Sequence, residues 1–272
     1  MAPTVLITGC STGIGRAAAE RFQTAGWNVA ATMRDPRKAG SLAELDRVAV
    51  LPLDVLDEVS IEAAYLAATT RFGGIDVLVN NAGSGLFGPF EEANAAAVRD
   101  QIDTNLLGPI WTIRRILPHF RARRAGLVIN VTSLAAFLGP PFNSYYAATK
   151  WGLEGLTEAL AAELASFGIR FKLVEPGLTR SSFHIKFAAQ DTSPITDYDG
   201  FRQKVTEAIL PGGTTPHGAP PEGVAEVLFQ AATDPSPRLR YPAGADAAAI
   251  LAMRDSMSAE DFVAAMRKQF PT

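Results

Sequence analysis

Short apolar runs alternate with longer amphipathic stretches along most of the chain. The apolar runs predict six β-strands, at residues 4–8, 28–33, 48–53, 76–80, 126–131 and 170–175. Apolar residues at helical spacing predict helices between them, at residues 13–25, 55–72, 91–124 and 144–167. The helical region 91–124 is expected to be interrupted at Gly108-Pro109. Strands that alternate with helices predict an α/β fold, a doubly wound parallel sheet with helices on both faces.

The segment 178–221 departs from this alternation. It is long and rich in proline and glycine, which is typical of a functional lid or of disorder, and its bulky apolar residues favour a substrate lid. Beyond it the pattern predicts a helix at 222–233, a short Arg240-Tyr241-Pro242 element and an amphipathic helix over Ala259–Gln269. No repeat or second-domain boundary is visible, so residues 1–272 are expected to form a single domain.

Composition narrows the classes of function. The chain has 25 basic and 28 acidic residues and a net charge of −3, so it lacks the basic excess that nucleic-acid binding needs. No apolar run approaches the ~18–20 residues of a membrane span, and the basic start of a signal peptide is missing. A single cysteine, Cys10, excludes an intramolecular disulfide, and the three histidines lack metal-ligand spacing. We therefore expect a soluble cytoplasmic protein with no metal, membrane or nucleic-acid partner.

A glycine-rich loop connects the first predicted strand to the first predicted helix. Its sequence is Thr8-Gly9-Cys10-Ser11-Thr12-Gly13-Ile14-Gly15. Glycines at these positions permit a tight turn and a close approach of the backbone to a pyrophosphate, and the following helix directs its free amides at that anion. This context predicts a Rossmann dinucleotide site, with candidate contacts Gly9, Ser11, Thr12, Gly13, Ile14 and Gly15.

The residues after the second strand indicate which dinucleotide is bound. An NAD-preferring protein has a carboxylate about 20 residues beyond the loop, whereas here Met33 is followed by Arg34. An arginine suits a ribose 2′-phosphate, so we predict NADP (NADPH) as cofactor. Asp35 follows directly and weakens this prediction, because it can reach a ribose hydroxyl or neutralise Arg34.

A tyrosine and a lysine are spaced for proton transfer. Tyr146 and Lys150 are four residues apart, which places them on one helix face, and a cation near a phenol favours the phenolate. Tyr146 is therefore a candidate general acid for a carbonyl or base for an alcohol. Ser133 follows the fifth strand, and Asn80-Asn81-Ala82-Gly83 ends the fourth strand on the same sheet edge. Asn105 lies in the long helix that follows.

Taken in order, these motifs resemble the short-chain dehydrogenase/reductase family in its compact single-domain branch. The resemblance spans nearly the whole chain, and it is weaker toward NADP-dependent members that act on steroids and retinoids. The motifs that carry it are Thr8–Gly15, Asp54-Val55, Asn80–Gly83, Asn105, Ser133, Tyr146 with Lys150, and Pro176-Gly177.

The resemblance implies a role for each motif residue. The catalytic group would be Tyr146 as proton donor, Ser133 as carbonyl-orienting hydrogen-bond partner, Lys150 on the nicotinamide ribose, and Asn105 holding a water that links Lys150 to solvent. The remaining cofactor contacts would be Asp54 and Val55 at the adenine, Asn81, Ala82 and Gly83 at the adenosine ribose, Pro176, Gly177 and Thr179 at the nicotinamide, and Ser181 at the carboxamide or pyrophosphate.

The sequence thus predicts an NADPH-dependent carbonyl reductase or alcohol dehydrogenase acting on a small-molecule carbonyl or alcohol. Apolar residues in the lid and between Ser133 and Tyr146 favour a hydrophobic substrate. A 3-ketoacyl thioester reductase and a redox-inert NADP-binding sensor remain alternatives. The apolar helix at 144–167 and the family resemblance together predict a homodimer or homotetramer.

Overall fold

The computed structural model describes residues 2–180, 185–187, 194–209 and 218–269. The strands are β1 Thr4–Ile7, β2 Asn28–Met33, β3 Val48–Pro52, β4 Val77–Asn80, β5 Gly85–Phe87, β6 Gly126–Val131, β7 Ile169–Pro176, β8 Ile185–Phe187 and β9 Arg240–Ala243. The α-helices are α1 Gly13–Thr24, α2 Glu58–Phe72, α3 Ala95–Ile102, α4 Gly108–Arg123, α5 Ser144–Glu163, α6 Asp199–Ile209, α7 Pro221–Thr233, α8 Ala245–Asp255 and α9 Ala259–Gln269.

Within the described residues, seven strands form one parallel sheet in the order β3-β2-β1-β4-β6-β7-β9. The chain leaves β1 toward β2 on one side and returns to the other side through β4. A crevice therefore opens at the carboxyl ends of β1 and β4, where ligands bind in sheets of this type. The predicted doubly wound α/β sheet in a single domain is confirmed.

A separate apolar core fills each face of the sheet. On one face, α1 packs against β1 and β2 while α7 packs against α1 and over β6, β7 and β9, with Phe22 and Leu228 fully buried. On the other face, α2, α4 and α5 cover the sheet, with Ile113 and Phe120 among the most buried side chains. The strands are apolar on both sides because both faces are covered. Among the described helices, none is both long and apolar enough to cross a membrane.

The interruption expected at Gly108-Pro109 is wrong. These residues begin α4, where a proline in the first turn removes no intrahelical hydrogen bond. The irregularity lies just before them, in a π-helical turn at Asp103–Leu107 that connects α3 to α4. The helix predicted from residue 55 begins at Glu58, because the Asp57 carboxylate accepts the amide of Val59 at 2.9 Å and caps it.

Four elements have no counterpart in the sequence predictions. Helix α8 follows β9 directly, and β5 pairs with β8 in a small two-stranded parallel sheet. Within the segment 178–221, α6 forms a regular helix. Other residues of the expected lid lie outside the described residues, among them Ser181, Phe183, Leu210 and Pro211-Gly212-Gly213.

Candidate active site

The glycine loop folds closely against the carboxyl end of β4. Gly9 and Gly13 have positive φ angles of +76° and +58°, which side chains other than glycine rarely adopt. A Cβ at Gly15 would lie 2.4 Å from the carbonyl oxygen of Gly9 and 2.5 Å from Nδ2 of Asn81. Glycine at 15 is therefore required for the loop and α1 to approach each other.

Hydrogen bonds fix this loop to the segment after β4. The Thr8 hydroxyl accepts the amides of Asn81 and Ala82, both at 3.0 Å. The Asn81 side chain donates in return to the carbonyl oxygens of Thr8 and Gly9, at 2.9 and 3.2 Å. We call the loop 8–15 together with residues 81–83 the cofactor crevice, and its shape is set by backbone conformation and by these bonds.

Helix α1 begins inside the cofactor crevice. Thr12, which precedes it, makes no capping hydrogen bond with its side chain. The first amides of α1 thus keep their donors for a ligand at the positive end of the helix dipole. Ser11 is half-buried and Thr12 is exposed, while Ile14 packs against the core of this face. A glycine cradle with free amide donors fits the pyrophosphate of a dinucleotide.

Cys10 contributes packing to the loop. Its side chain is fully buried, its thiol donates to the carbonyl oxygen of Ile7 at 3.2 Å, and burial raises the pKa of the thiol to about 12. The thiol stays protonated at neutral pH, which fits its interpretation as a small loop residue without a redox role.

The cluster after β2 shows how Asp35 is paired. Arg34 is exposed. Both carboxylate oxygens of Asp35 accept from the guanidinium of Arg37, at 2.8 and 3.0 Å, and the Arg37 amide adds a bond of 3.1 Å. This pairing with Arg37 holds the pKa of Asp35 below its usual range. In the described structure, Asp35 is thus engaged by Arg37, and Arg34 faces solvent.

Asp54 and Val55, predicted at the adenine, follow β3. Asp54 accepts the amide of Leu56 at 3.0 Å and so forms the turn that leads to α2. Asp54 does not cap this helix, because Asp57 is its N-cap. Val55 is buried, and a Cβ on Gly108 would lie 2.8 Å from its methyl group, so Val55 packs where α4 begins.

Asn105 lies in the π turn between α3 and α4 and is buried. Its side chain makes two hydrogen bonds with the backbone of Ser84. It accepts the Ser84 amide at 2.9 Å and donates to the Ser84 carbonyl oxygen at 2.8 Å. A weaker contact of 3.5 Å reaches the hydroxyl of Thr149 on α5. Asn105 therefore connects the end of β4 to the helix that carries Tyr146 and Lys150. π turns often occur at functional sites.

Ser133, Tyr146 and Lys150 meet at the carboxyl end of β6. Ser133 directly follows this part of the sheet, and its hydroxyl also accepts the amide of Ala135 at 3.2 Å. Tyr146 is hydrogen-bonded to Ser133. The Lys150 ammonium donates to the carbonyl oxygen of Val131 at 2.8 Å and lies 5.6 Å from the centre of the Tyr146 ring. The neighbouring Tyr145 is turned away and donates to the carbonyl oxygen of Phe90 at 2.9 Å.

Burial dominates the titration of both groups. It raises the pKa of Tyr146 to about 12, and the hydrogen bond from Ser133 acts in the opposite direction. Burial lowers the pKa of Lys150 to about 8, against the attraction of Glu154. Tyr146 is thus a protonated acid at neutral pH, next to a buried cation that favours its deprotonated form.

The loop after β7 is held by a residue that sequence reasoning missed. Asp246, in the first turn of α8, accepts the amide of Leu178 at 2.7 Å. A Cβ on Gly177 would lie 2.1 Å from the Asp246 carboxylate, so glycine is needed for this contact. Thr179 pairs with Ala219, which gives the predicted Pro176, Gly177 and Thr179 a fixed backbone. The signal available in the sequence was an acidic residue opening a short helix after Gly244.

The segment between Ser133 and Tyr146 carries aromatic residues that pack toward α6. Phe142 is buried and has a φ of +63°, which is strained for a bulky residue and typical of functional sites. Its ring lies 6.0 Å from that of Phe87 and 5.1 Å from that of Phe201 on α6. A groove of about 380 Å³ runs beside Phe137 and Phe201 and is lined by apolar side chains and two arginines, Arg254 and Arg267.

A buried ion pair connects α6 to the body of the protein. The Glu92 side chain is 1% exposed and accepts the Ile195 amide at 2.8 Å and the Arg202 guanidinium. The adjacent Glu91 accepts the hydroxyl of Tyr198 at 2.6 Å. We call these contacts, together with Phe142 and α6, the lid side. Glu92 was not predicted, since a glutamate near a helix start is usually exposed.

Known proteins match this chain along its length. Residues 3–192 match the family model of short chain dehydrogenases. The chain is 36% identical to the 17-beta-hydroxysteroid dehydrogenase type 1 of Mus musculus, over 99% of this chain and 82% of that protein. It is 36% identical to the retinol dehydrogenase 8 of Bos taurus, over 87% of this chain and 80% of that protein. The predicted similarity to steroid and retinol dehydrogenases is confirmed.

The fold matches solved structures of the same kind. A short-chain dehydrogenase from Streptomyces avermitilis has a TM-score of 0.82 to this chain at 32% identity, over 99% of this chain and 96% of that one. Two further structures, both with a TM-score of 0.72 and 26–27% identical, contain NADP in one case and NADH in the other.

Proposed function

The chain belongs to the short chain dehydrogenase family, and from that premise we propose that it is an NADP(H)-dependent oxidoreductase. It interconverts a carbonyl and an alcohol on a hydrophobic small molecule. The observation that carries the proposal is the cluster of Ser133, Tyr146 and Lys150 at the carboxyl end of β6, next to a cradle built for a dinucleotide.

Each residue of this cluster has a different role in the proposed reaction. A bound nicotinamide cofactor supplies or accepts the hydride. Tyr146 donates its phenolic proton to the carbonyl oxygen, and Ser133 holds that oxygen in place through its hydroxyl. One donor of the Lys150 ammonium binds Val131, which leaves further donors for a ribose hydroxyl. The positive charge of Lys150 stabilises the phenolate that forms on Tyr146.

The preference for NADP is supported by the cluster after β2. Asp35 is paired with Arg37, and Arg34 is exposed at the position where the ribose 2′ substituent is expected. A guanidinium binds a phosphate through charge-assisted hydrogen bonds, so the extra phosphate of NADP gains an interaction that NAD lacks.

The hydrophobic substrate is supported by the aromatic wall around Phe137, Phe142 and Phe201. The lid function of residues 178–221 remains part of the proposal, and the contacts of α6 with Glu92 and Phe142 support it. A homodimer or homotetramer stays a prediction. A cytoplasmic location stays a prediction.

The deciding experiment measures carbonyl-dependent oxidation of NADPH, with NADH in parallel. The panel runs from small polar ketones to steroids, retinal and 3-ketoacyl thioesters. We expect NADPH to be used, and apolar ketones to give the highest kcat/KM. A clear preference for the thioesters would favour the ketoacyl reductase, and NADPH binding without any turnover would favour a sensor.

Tyr146→Phe is the control that defines the chemistry. Removing the proton donor is expected to lower kcat by about 10²–10⁴-fold, because general acid catalysis contributes that much. NADPH binding, measured by fluorescence titration, should stay within a few-fold of the unchanged protein. Turnover that survives this substitution would rule out the proposed mechanism.

A further inference from the structure

Behind Lys150 lies a cluster of charged side chains contributed by three elements. Glu154 and Glu158 follow Lys150 on α5, Glu175 is near the end of β7, and Arg240 begins β9. One guanidinium nitrogen, Nη1 of Arg240, donates both to Glu154 and to Glu175, the latter at 2.6 Å. The other nitrogen, Nη2, donates to Glu158 at 2.7 Å.

Two of these carboxylates are withdrawn from solvent. The Glu175 side chain is fully buried and that of Glu154 is 7% exposed, whereas that of Glu158 is 54% exposed. In the described part of the chain, Oε1 of Glu154 and Oε2 of Glu175 are buried without a hydrogen-bond partner. Arg240 is thus the one cation bound directly to both buried carboxylates among the described residues.

Two buried carboxylates that share one guanidinium nitrogen repel each other when both are ionised. Burial, and after it the charge of Glu154, raises the pKa of Glu175 to about 7. Burial also raises the pKa of Glu154. A proton on one carboxyl would remove its charge, which lowers the cost of burying that carboxyl.

The pair lies directly behind the catalytic cluster. Glu154 is one helical turn beyond Lys150. Burial lowers the pKa of Lys150, and the negative charge of Glu154 raises it. Glu175 is the residue before Pro176-Gly177, in the loop proposed to border the nicotinamide. Both carboxyls therefore lie within one residue or one helical turn of groups assigned to the reaction.

We propose that Glu154 and Glu175 act as a proton-sharing carboxyl pair that positions the charge of Lys150. While Glu154 is ionised, the ammonium of Lys150 is stabilised, and while Glu154 carries the shared proton, that support is withdrawn. Glu154 and Glu175 are positioning residues that act through Lys150. The catalytic consequence rests on the function proposed above, but the charge coupling itself does not.

Other charged and polar groups near the pair shift the pKa values of its two carboxyls. Arg238 lowers the pKa of Glu175, and Arg240 lowers the pKa of both carboxyls. The Thr132 hydroxyl lowers the pKa of Glu154 through a hydrogen bond, and Glu158 raises it. Of the two carboxyls, Glu154 is the one whose charge acts on Lys150, four residues before it on α5.

The test is a pH titration of Lys150 in the full-length protein without cofactor, followed by NMR of lysines labelled with ¹³C at Cε. The Lys150 signal is assigned by its absence in Lys150→Arg. In Glu154→Gln the pKa of Lys150 should fall by about one unit, because the nearest negative charge is lost. In Glu175→Gln it should rise by about half a unit, since Glu154 then ionises more readily.

Opposite effects of two neighbouring substitutions separate charge coupling from loss of structure. Glu158→Gln is the matched control, because it removes an exposed partner of the same arginine, and it should leave the Lys150 titration unchanged. Glu154→Asp keeps a carboxylate and should restore most of the pKa lost in Glu154→Gln. An unchanged Lys150 titration in Glu154→Gln, or equal shifts in the Gln variants of 154 and 175, overturns the proposal.

A second readout follows alcohol oxidation across the same pH range. Because a lowered pKa makes Lys150 lose its charge at lower pH, the alkaline decline of kcat should move down by about one unit in Glu154→Gln only. If no substrate is turned over, the function proposed above fails, while the NMR titration still decides whether the carboxyl pair controls Lys150. If the decline stays in place while the NMR shift is present, the catalytic part of the proposal is overturned.

Discussion

At the cofactor crevice the shape of the site is set by backbone, whereas on the lid side it is set by side chains from distant segments. The crevice depends on positive φ angles at Gly9 and Gly13 and on the contact between Gly15 and Gly9. The lid side depends on Glu92, Phe142 and Arg202, which come from three separate parts of the chain.

This difference has a consequence for how each region tolerates change. A glycine whose Cβ would overlap a backbone atom has no alternative rotamer to adopt, so substitution there moves the main chain. An aromatic or ionic contact between side chains loses part of its free energy when one partner changes, and the backbone can keep its position. We therefore expect all-or-none effects at the crevice and graded effects on the lid side.

Gly15→Ala is expected to give the largest effect. Its Cβ would lie 2.4 Å from the carbonyl oxygen of Gly9 and would also displace the Asn81 side chain that bonds to the loop. Together these changes are expected to cost about 4 kcal/mol, which is about 10³-fold in NADPH affinity. Isothermal titration with NADPH measures this directly.

Gly223→Ala is the matched control, because a Cβ at that position meets nothing within 4 Å and lies in a helix. Its NADPH affinity should not change. Thermal unfolding of both variants without cofactor separates loss of binding from loss of fold. NADPH affinity within twofold of the unchanged protein in Gly15→Ala would contradict the role given to the loop.

The same contrast explains what the sequence could predict. The order of strands and helices followed from periodicity and from glycines that end elements, such as Gly73, which has a φ of +83° at the end of α2. The glycine loop of the crevice was predictable because its residues are close in sequence and its glycines have a direct steric reason. The cluster of Ser133, Tyr146 and Lys150 was predictable from spacing on one strand and one helix.

The rest depended on contacts that spacing does not encode. Glu92 and Arg202 are far apart in the chain, and nothing local distinguishes Glu92 from an exposed glutamate. Glu154 and Glu175 become a pair only because α5 packs beside β7 and β9 brings Arg240 between them. Helix α8 was missed because its alanine-rich sequence has weak periodicity, although its Asp246 fixes the loop after β7.

Arg34→Glu is expected to give the next largest effect, at the rim of the crevice. Replacing an exposed guanidinium with a carboxylate removes a charge-assisted interaction with a 2′-phosphate and adds repulsion. The ratio of kcat/KM for NADPH to that for NADH should fall by about 100-fold, since the two effects together amount to about 3 kcal/mol. Steady-state kinetics with both cofactors and one ketone substrate give this ratio.

Arg37→Ala tests the preference for NADPH over NADH in a second way. Arg37 holds both oxygens of Asp35, so its removal frees a carboxylate beside Arg34. We expect the NADPH preference to fall in this variant too, but less than in Arg34→Glu. A cofactor ratio that is unchanged in Arg34→Glu would mean that the residue is a solvated loop charge.

Glu92→Gln is expected to give the smallest and most graded effect, on the lid side. The amide still accepts the Ile195 amide but loses the ionic attraction to Arg202, whose side chain is 26% exposed and therefore partly screened. About 1–1.4 kcal/mol of local stability should be lost, which raises the opening of α6 up to about tenfold. Hydrogen exchange of the α6 amides measures this opening.

Glu91→Gln is the control, because it removes the charge that accepts the exposed Tyr198 hydroxyl. It should change exchange by less than Glu92→Gln, because the partner of Glu91 is solvated. Equal exchange in the two variants would show that burial of Glu92 does not hold the helix, and that the aromatic contacts of Phe142 and Phe201 carry the lid side alone.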